Sequence, residues 1–329
     1  MLKFFNFKTL AIILINLFLT FVLVEACCYF HEVIIASKNC NDCDLKHFKI
    51  CGYHKYFFLK HSSFDQTYEM LKPKLKQPEG TQYKSEPILL TGCSFAYGYG
   101  LNDNQTFQKK LSDLTQRPVY NRAYELWWGP QTLLYQARRD DFYKEVPNPK
   151  YVVFVLIQDH IARINSSCII TFHRYPHLRY IEHNGILHQE KTSLLYNFFT
   201  FKKYTIFRSQ HIPKEKSFNL LKLFFKETKK EFDKHWKNYK FIILIYDENP
   251  NIKNFFKEID WQDLEKEGFT IVSTSDLVGR TMNLPQDVIS DNYHPSEKAW
   301  DIITPAFVRK VLNEPDNKNQ ILYFQNLLK

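Results

Sequence analysis

The sequence predicts a three-layer α/β/α sandwich built on a central, mainly parallel sheet. Two observations carry this expectation. Short, almost purely apolar runs recur from residue 87 onward, and segments with helical spacing separate them. Strands buried on both faces read as unbroken apolar runs, and their alternation with helices makes the sheet parallel, with a helix layer on each side. At 329 residues and 44% hydrophobic composition, the chain is long enough to bury a substantial core.

The elements follow in order. Lys3 and Lys8 precede "TLAIILINLFLTFVLV" (9–24), sixteen residues interrupted only by Thr9, Asn16 and Thr20. As a helix this run spans about 24 Å at ~1.5 Å per residue, against a hydrocarbon core of ~30 Å. It reads as an export signal or a short membrane anchor, and Val24-Glu25-Ala26 before Cys27 also suits a signal-peptidase or lipoprotein site. The basic residues ahead of it keep the amino terminus in the cytoplasm, so each outcome places the body outside it, in a periplasm or cell envelope. The membrane is therefore an expected partner through residues 1–30. Residues 31–84 form a cysteine-containing segment and linker, with Cys40, Cys43 and Cys51 close to His47 and His54. In an exported chain such a cluster reads as a disulfide-stapled loop, with a metal site as the alternative.

From residue 85 to 313 the α/β pattern runs without internal repeats. Strands are predicted at "PILLTG" (87–92), "PVYN" (118–121), "KYVVFVLI" (150–157), "YKFIILIY" (239–246) and "FTIVST" (269–274). Helices are predicted over 106–114, 131–145, 214–238, 261–268 and 296–312. Residues 168–204 are aromatic-rich and too long for a plain connection, so they are expected to form a cap beside the site, and 314–329 is a tail. The formal charge of +9 is spread along amphipathic helix faces. No zinc-finger spacing, RNA-binding aromatic signature or phosphate-cradling glycine loop accompanies it, so no nucleic-acid partner is expected.

In an open parallel sheet, reactive groups gather beyond the carboxyl ends of the strands. Ser94 in "TGCSFAYGYG" stands just past one such end, before a glycine-rich turn. "DNYHP" supplies Asp291 and His294 immediately before the last helix. Three-residue spacing lets the carboxylate fold back onto one imidazole nitrogen, which fixes the tautomer and leaves the other nitrogen to accept a serine proton. Either stretch alone also fits an ordinary turn.

Together they resemble the SGNH hydrolases, the GDSL-like esterase superfamily. Gly92-Cys93-Ser94-Phe95 with Gly98 and Gly100 resembles the first family block, and Asp291-x-x-His294-Pro295 the last. The second block is matched in part by Asn121 in "YNRAYELWWGPQ", and the third should fall in "VLIQDHIAR" (155–163). Three departures stand out. Cys93 replaces the aspartate before the nucleophile, Leu126 or Gly129 takes the place of the oxyanion-hole glycine, and Asp159 or His160 stands where an asparagine is expected. A backbone N–H or an imidazole N–H can donate to an oxyanion, whereas an ionised carboxylate repels it, so His160 is the expected donor, with a strand-end cap as its alternative.

The resemblance implies Ser94 as nucleophile, His294 as base and then acid, Asp291 as orienting acid, and an oxyanion hole from Ser94, Leu126, Gly129 and His160. Asn121, Trp127, Trp128 and Arg163 are candidate substrate contacts. Each has a structural alternative as a turn residue, core cover or ion-pair member. The expected activity is extracytoplasmic hydrolysis of O-acyl esters of glycans or lipids, with no metal or organic cofactor required. Acyl transfer to a polysaccharide hydroxyl and a catalytically silent binding module on the same fold are the alternatives.

Overall fold

The computed structural model describes residues 12–13, 15–20, 86–123, 129–164, 180–189 and 214–314. The chain divides into two units, residues 1–67 with 170–176, and residues 68–169 with 177–329. In the first, the described residues 12–13 and 15–20 are helical, with Ile12, Ile15, Leu17, Phe18 and Leu19 exposed. Among the described residues no helix is long and apolar enough to cross a membrane. The segment 31–84, all cysteines except Cys93, Leu126, Trp127, Trp128, the tail from 315 and most of the expected cap lie outside the described residues.

The second unit is built on five strands: β1 (Ile88–Thr91), β2 (Val119–Asn121), β3 (Tyr151–Leu156) and, after a separate hairpin of β4 (Tyr180–His183) and β5 (Ile186–Gln189), β6 (Lys240–Ile245) and β7 (Phe269–Ser273). Their order is β2-β1-β3-β6-β7 and every neighbour pair is parallel. β1 leads to the edge strand β2, and the chain then returns to the other side of β1 to form β3. That reversal opens a crevice at the carboxyl ends of β1 and β3. The register aligns those ends, with Leu90 opposite both Asn121 and Val153 and Thr91 opposite Phe154.

Alternate residues of each strand serve opposite helix layers. Ile88, Leu90, Val153, Val155, Ile242 and Leu244 belong to one core face together with Phe107, Leu111, Trp300, Ile303 and Phe307. Those partners come from α2 (Phe107–Thr115) and α10 (Glu297–Phe307), where the Phe107 and Trp300 rings stack at 4.6 Å. On the other face Phe154 meets Phe225 at 5.2 Å, Phe225 belonging to the long helix α6 (Lys214–His235). α3 (Pro130–Ala137) and α5 (Asp159–Ile164) pack against α6.

The structure bears out the five expected strands to within a residue or two. The single helix expected over 131–145 is two helices, α3 and α4 (Asp140–Glu145), because Arg139 is extended between them and two aspartates open the next turn. Within the expected cap, residues 180–189 form a hairpin whose Asn184-Gly185 turn has positive φ at both positions. Its Tyr180 ring packs edge-on against Phe224 of α6. Two further short helices follow β6 and β7: α7 (Pro250–Lys257), begun by an Asn249 side-chain cap, and α9 (Thr274–Val278). Between them lies α8 (Gln262–Lys266), as expected.

Candidate active site

Ser94 opens α1 (Ser94–Tyr97), a single turn that follows β1 directly. The approach to it is tight. Gly92 has φ +141°, and a Cβ there would meet the Val155 carbonyl oxygen of β3 at 2.9 Å. Only glycine passes so close to the neighbouring strand in that conformation. The turn closes at Gly98, φ +86°, where the N–H groups of Gly98 and Tyr99 both donate to the Ser94 carbonyl at 3.1 Å. Beneath it Phe95 and Ala96 are buried. Asn121 reaches across from the end of β2: its Nδ2 donates to the Ala96 carbonyl at 2.9 Å, and its Oδ1 accepts the Ala123 N–H at 2.9 Å. Asn121 therefore ties the serine turn to the sheet.

A loop between α9 and α10 brings up the opposing groups. Its base is an ion pair in which the half-buried Arg280 grips both carboxylate oxygens of Asp287, Nη2 to Oδ1 being 2.8 Å, while the Leu284 N–H donates to Oδ2 at 3.0 Å. Asp287 has no solvent exposure. The Ser296 N–H donates to its carbonyl at 2.8 Å, and the Ile289 N–H to that of His294 at 3.0 Å, so the loop is stapled at its neck. At the tip Asn292 takes the left-handed conformation, φ 58°, which reverses the chain.

That reversal gives Asp291 three contacts with the residues after it. Oδ1 accepts the N–H groups of Tyr293 at 2.9 Å and His294 at 3.0 Å, and Oδ2 lies 2.5 Å from His294 Nδ1. Burial alone would raise the Asp291 pKa, but the hydrogen bonds from the His294 ring and the two backbone N–H groups outweigh it and hold the carboxyl below its ordinary range. His294 Nε2 lies 2.8 Å from Ser94 Oγ. Serine, histidine and aspartate, 200 residues apart in sequence at their extremes, thus form one continuous hydrogen-bonded row at the sheet's carboxyl edge.

Around this row stand Phe95, Tyr99 and Tyr293, with ring centroids 5.3, 4.6 and 5.0 Å from that of His294. The Tyr293 hydroxyl donates to Asp159 Oδ2 at 3.0 Å, and Arg163 Nη2 approaches the same oxygen at 3.5 Å. Burial and the charges of Asp159 and Glu248 push the Tyr293 phenol far up, so it remains a donor. Half-buried Glu248, just past β6, is pushed up to about 7 by burial and by Asp159. Asp159 is therefore joined to the loop that carries Asp291 and His294.

His160 is wholly buried, and its Nδ1 accepts the Ile157 N–H at 3.3 Å where β3 ends. In the neutral ring this leaves the proton on Nε2. The edge carrying Cδ2 faces Gly129, where an added Cβ would come within 3.3 Å of it and 2.8 Å of Gln131 Oε1. Gly129 caps α3 through its carbonyl, which accepts from Thr132 and Leu133. Sequence reasoning passed over Tyr99, Tyr293, Glu248 and the Arg280–Asp287 pair. Tyr293 lies inside the D-x-x-H motif and Tyr99 inside the glycine turn, so position alone could have flagged both.

No family model matches the sequence, and no curated protein matches it. Among solved structures the chain is similar to lipolytic G-D-S-L proteins and carbohydrate esterases. A member of the lipolytic G-D-S-L family from Veillonella parvula is 9% identical, with a TM-score of 0.41 over 70% of this chain and 100% of that one. A psychrotrophic esterase from Pseudoalteromonas sp. is 15% identical, with a TM-score of 0.39 over 70% of this chain and 100% of that one. A family two carbohydrate esterase from Clostridium thermocellum, solved with cellohexaose, is 10% identical, with a TM-score of 0.42 over 71% of this chain and 66% of that one.

Proposed function

We propose that the protein is a serine ester hydrolase acting through an acyl-enzyme on O-acyl esters of glycans or lipids. The observation that supports this reading is the row Ser94 Oγ, His294 Nε2 at 2.8 Å, His294 Nδ1, Asp291 Oδ2 at 2.5 Å. A hydroxyl hydrogen-bonded to an imidazole that is itself oriented by a carboxylate is the arrangement that makes serine nucleophilic near neutral pH.

Ser94 Oγ attacks the ester carbonyl carbon while its proton passes to His294 Nε2, and the carbonyl π electrons move onto oxygen. Asp291, held ionised, balances the imidazolium that forms. The oxyanion is received by the N–H of Ser94, whose place in the first helical turn leaves it without an intrahelical acceptor, and by the N–H of Gly129, with His160 packed against that glycine. The tetrahedral species collapses, the bond to the alcohol oxygen breaks, and His294 returns its proton to the leaving alkoxide. Water then repeats the sequence on the acyl-Ser94 ester and frees the acid. We further propose that this chemistry operates outside the cytoplasm, on the strength of the basic and apolar amino terminus.

Fluorophosphonate labelling followed by peptide mapping tests the reading, because only an activated serine reacts. Labelling is expected at Ser94 and is lost in Ser94→Ala and His294→Ala. A folded wild-type protein that takes up no label would sink the hydrolase proposal and leave a binding module on this fold.

A further inference from the structure

We propose that Tyr99 reads the alcohol half of the substrate and that this alcohol is a pyranose ring; the inference rests on the hydrolase reading above. The argument begins with the proton. During acylation His294 Nε2 hands its proton to the leaving oxygen, so that oxygen must come within hydrogen-bond reach of the ring, ~2.6–3.2 Å. A side chain standing against His294 at the surface therefore borders the alcohol, and the acyl group lies on the side of the oxyanion donors.

Among the described residues, three rings stand against His294. Phe95 is fully buried below it and Tyr293 is half-buried with its hydroxyl spent on Asp159. Tyr99 is the exposed one, 41% accessible, its ring tilted 39° to the imidazole at a centroid distance of 4.6 Å. Its backbone is anchored by the N–H bond to the Ser94 carbonyl, so the ring is carried on the same turn as the nucleophile. Tyr97, at 38%, is a second exposed aromatic residue of that turn.

The chemistry of such a wall favours a sugar. An aromatic face is electron-rich and attracts polarised hydrogens. The ring C–H groups of a pyranose are polarised by the oxygen on each carbon, and they project together from a face about as broad as a phenol. A fatty alcohol would instead require aliphatic surface. Among the described residues of this unit, the exposed large apolar side chains are Tyr97, Tyr99, Ile186 and Leu284, and the two in the serine turn are both tyrosines.

The test compares kcat/KM for two acetates that share the acyl group, an O-acetylated methyl pyranoside and ethyl acetate, in wild type, Tyr99→Ala and Tyr99→Phe. The pyranoside-to-ethyl ratio is expected to exceed one in the wild type, fall about tenfold in Tyr99→Ala and be retained in Tyr99→Phe, since the ring face and not the hydroxyl makes the contact. Free methyl pyranoside should also slow fluorophosphonate labelling of wild-type Ser94 where equimolar ethanol does not, a readout that needs no variant. An unchanged ratio with equal losses on both esters would mean that Tyr99 only steadies His294, and the inference falls. Label on Ser94 with no preference for the pyranoside and no protection overturns the sugar assignment while leaving the serine chemistry standing; absence of label overturns both.

Discussion

Replacing Asp291 by asparagine is the most searching single change to the serine row. The side chain keeps its shape and Oδ1 can still accept the N–H groups of Tyr293 and His294, at 2.9 and 3.0 Å in the wild type. What changes is the other end, where an amide N–H₂ replaces the oxygen 2.5 Å from His294 Nδ1. Two donors cannot face each other, so the imidazole moves its proton to Nε2, and the nitrogen facing Ser94 no longer has a lone pair to accept with. The lost charge adds to this. With charge centres ~4 Å apart and an effective dielectric of ~20, the carboxylate stabilises the imidazolium by about 4 kcal/mol, or about three decades in rate. Tautomer reversal takes the expected loss in kcat towards ~10⁴. The assay is hydrolysis of p-nitrophenyl acetate, corrected with Ser94→Ala, alongside the rate of fluorophosphonate labelling and a circular dichroism spectrum. A folded Asp291→Asn protein within tenfold of wild type would refute the reasoning.

Other outcomes follow from the same geometry. If His160 assists the oxyanion, His160→Ala should lose about 10²–10³ in turnover on an activated ester while Asp159→Ala does not; near-wild-type turnover would reduce His160 to the cap on Ile157. The Glu248 carboxyl is raised in the folded chain from 4.5 to about 7, so the folded state binds more protons and loses stability as pH climbs between those values. Glu248→Gln should therefore melt above wild type at pH 8 and level with it at pH 4, and a gap that widens towards acid would contradict this sign. Cys40, Cys43 and Cys51 are expected to include at least one disulfide, so thiol labelling of unreduced, denatured protein should leave two or more of them unmodified.

The sheet was legible because its strands are buried on both faces. Val152 to Leu156 can be read from five consecutive apolar residues, and the strand occurs where they are. Ser94, Asp291 and His294 were legible for a different reason: each is locally marked, by glycines around the serine and by three-residue spacing in the loop. Partners chosen across long stretches of chain carry no such mark. Nothing near Asp159 announces that it will accept from Tyr293, 134 residues later, rather than approach the nucleophile. The split between α3 and α4 was hidden by continuous helical spacing, which carries no sign of the extended Arg139 backbone between them. The 180–189 hairpin did carry a local cue, Asn184-Gly185, which the aromatic content of the surrounding segment obscured.

The separation of Ser94 from His294 also bears on how the chain is made. The serine turn follows β1 directly, whereas the histidine stands just before α10, whose Trp300 stacks on Phe107. A nascent or truncated chain that ends before residue 294 carries all five strands of the sheet and still lacks the histidine. Closure of such a distant contact is slow relative to local structure, because chain entropy has to be lost before the contact repays it. Recovery of serine reactivity during refolding would then lag behind recovery of the sheet, and reactivity becomes a reporter of the carboxyl-terminal helix docking.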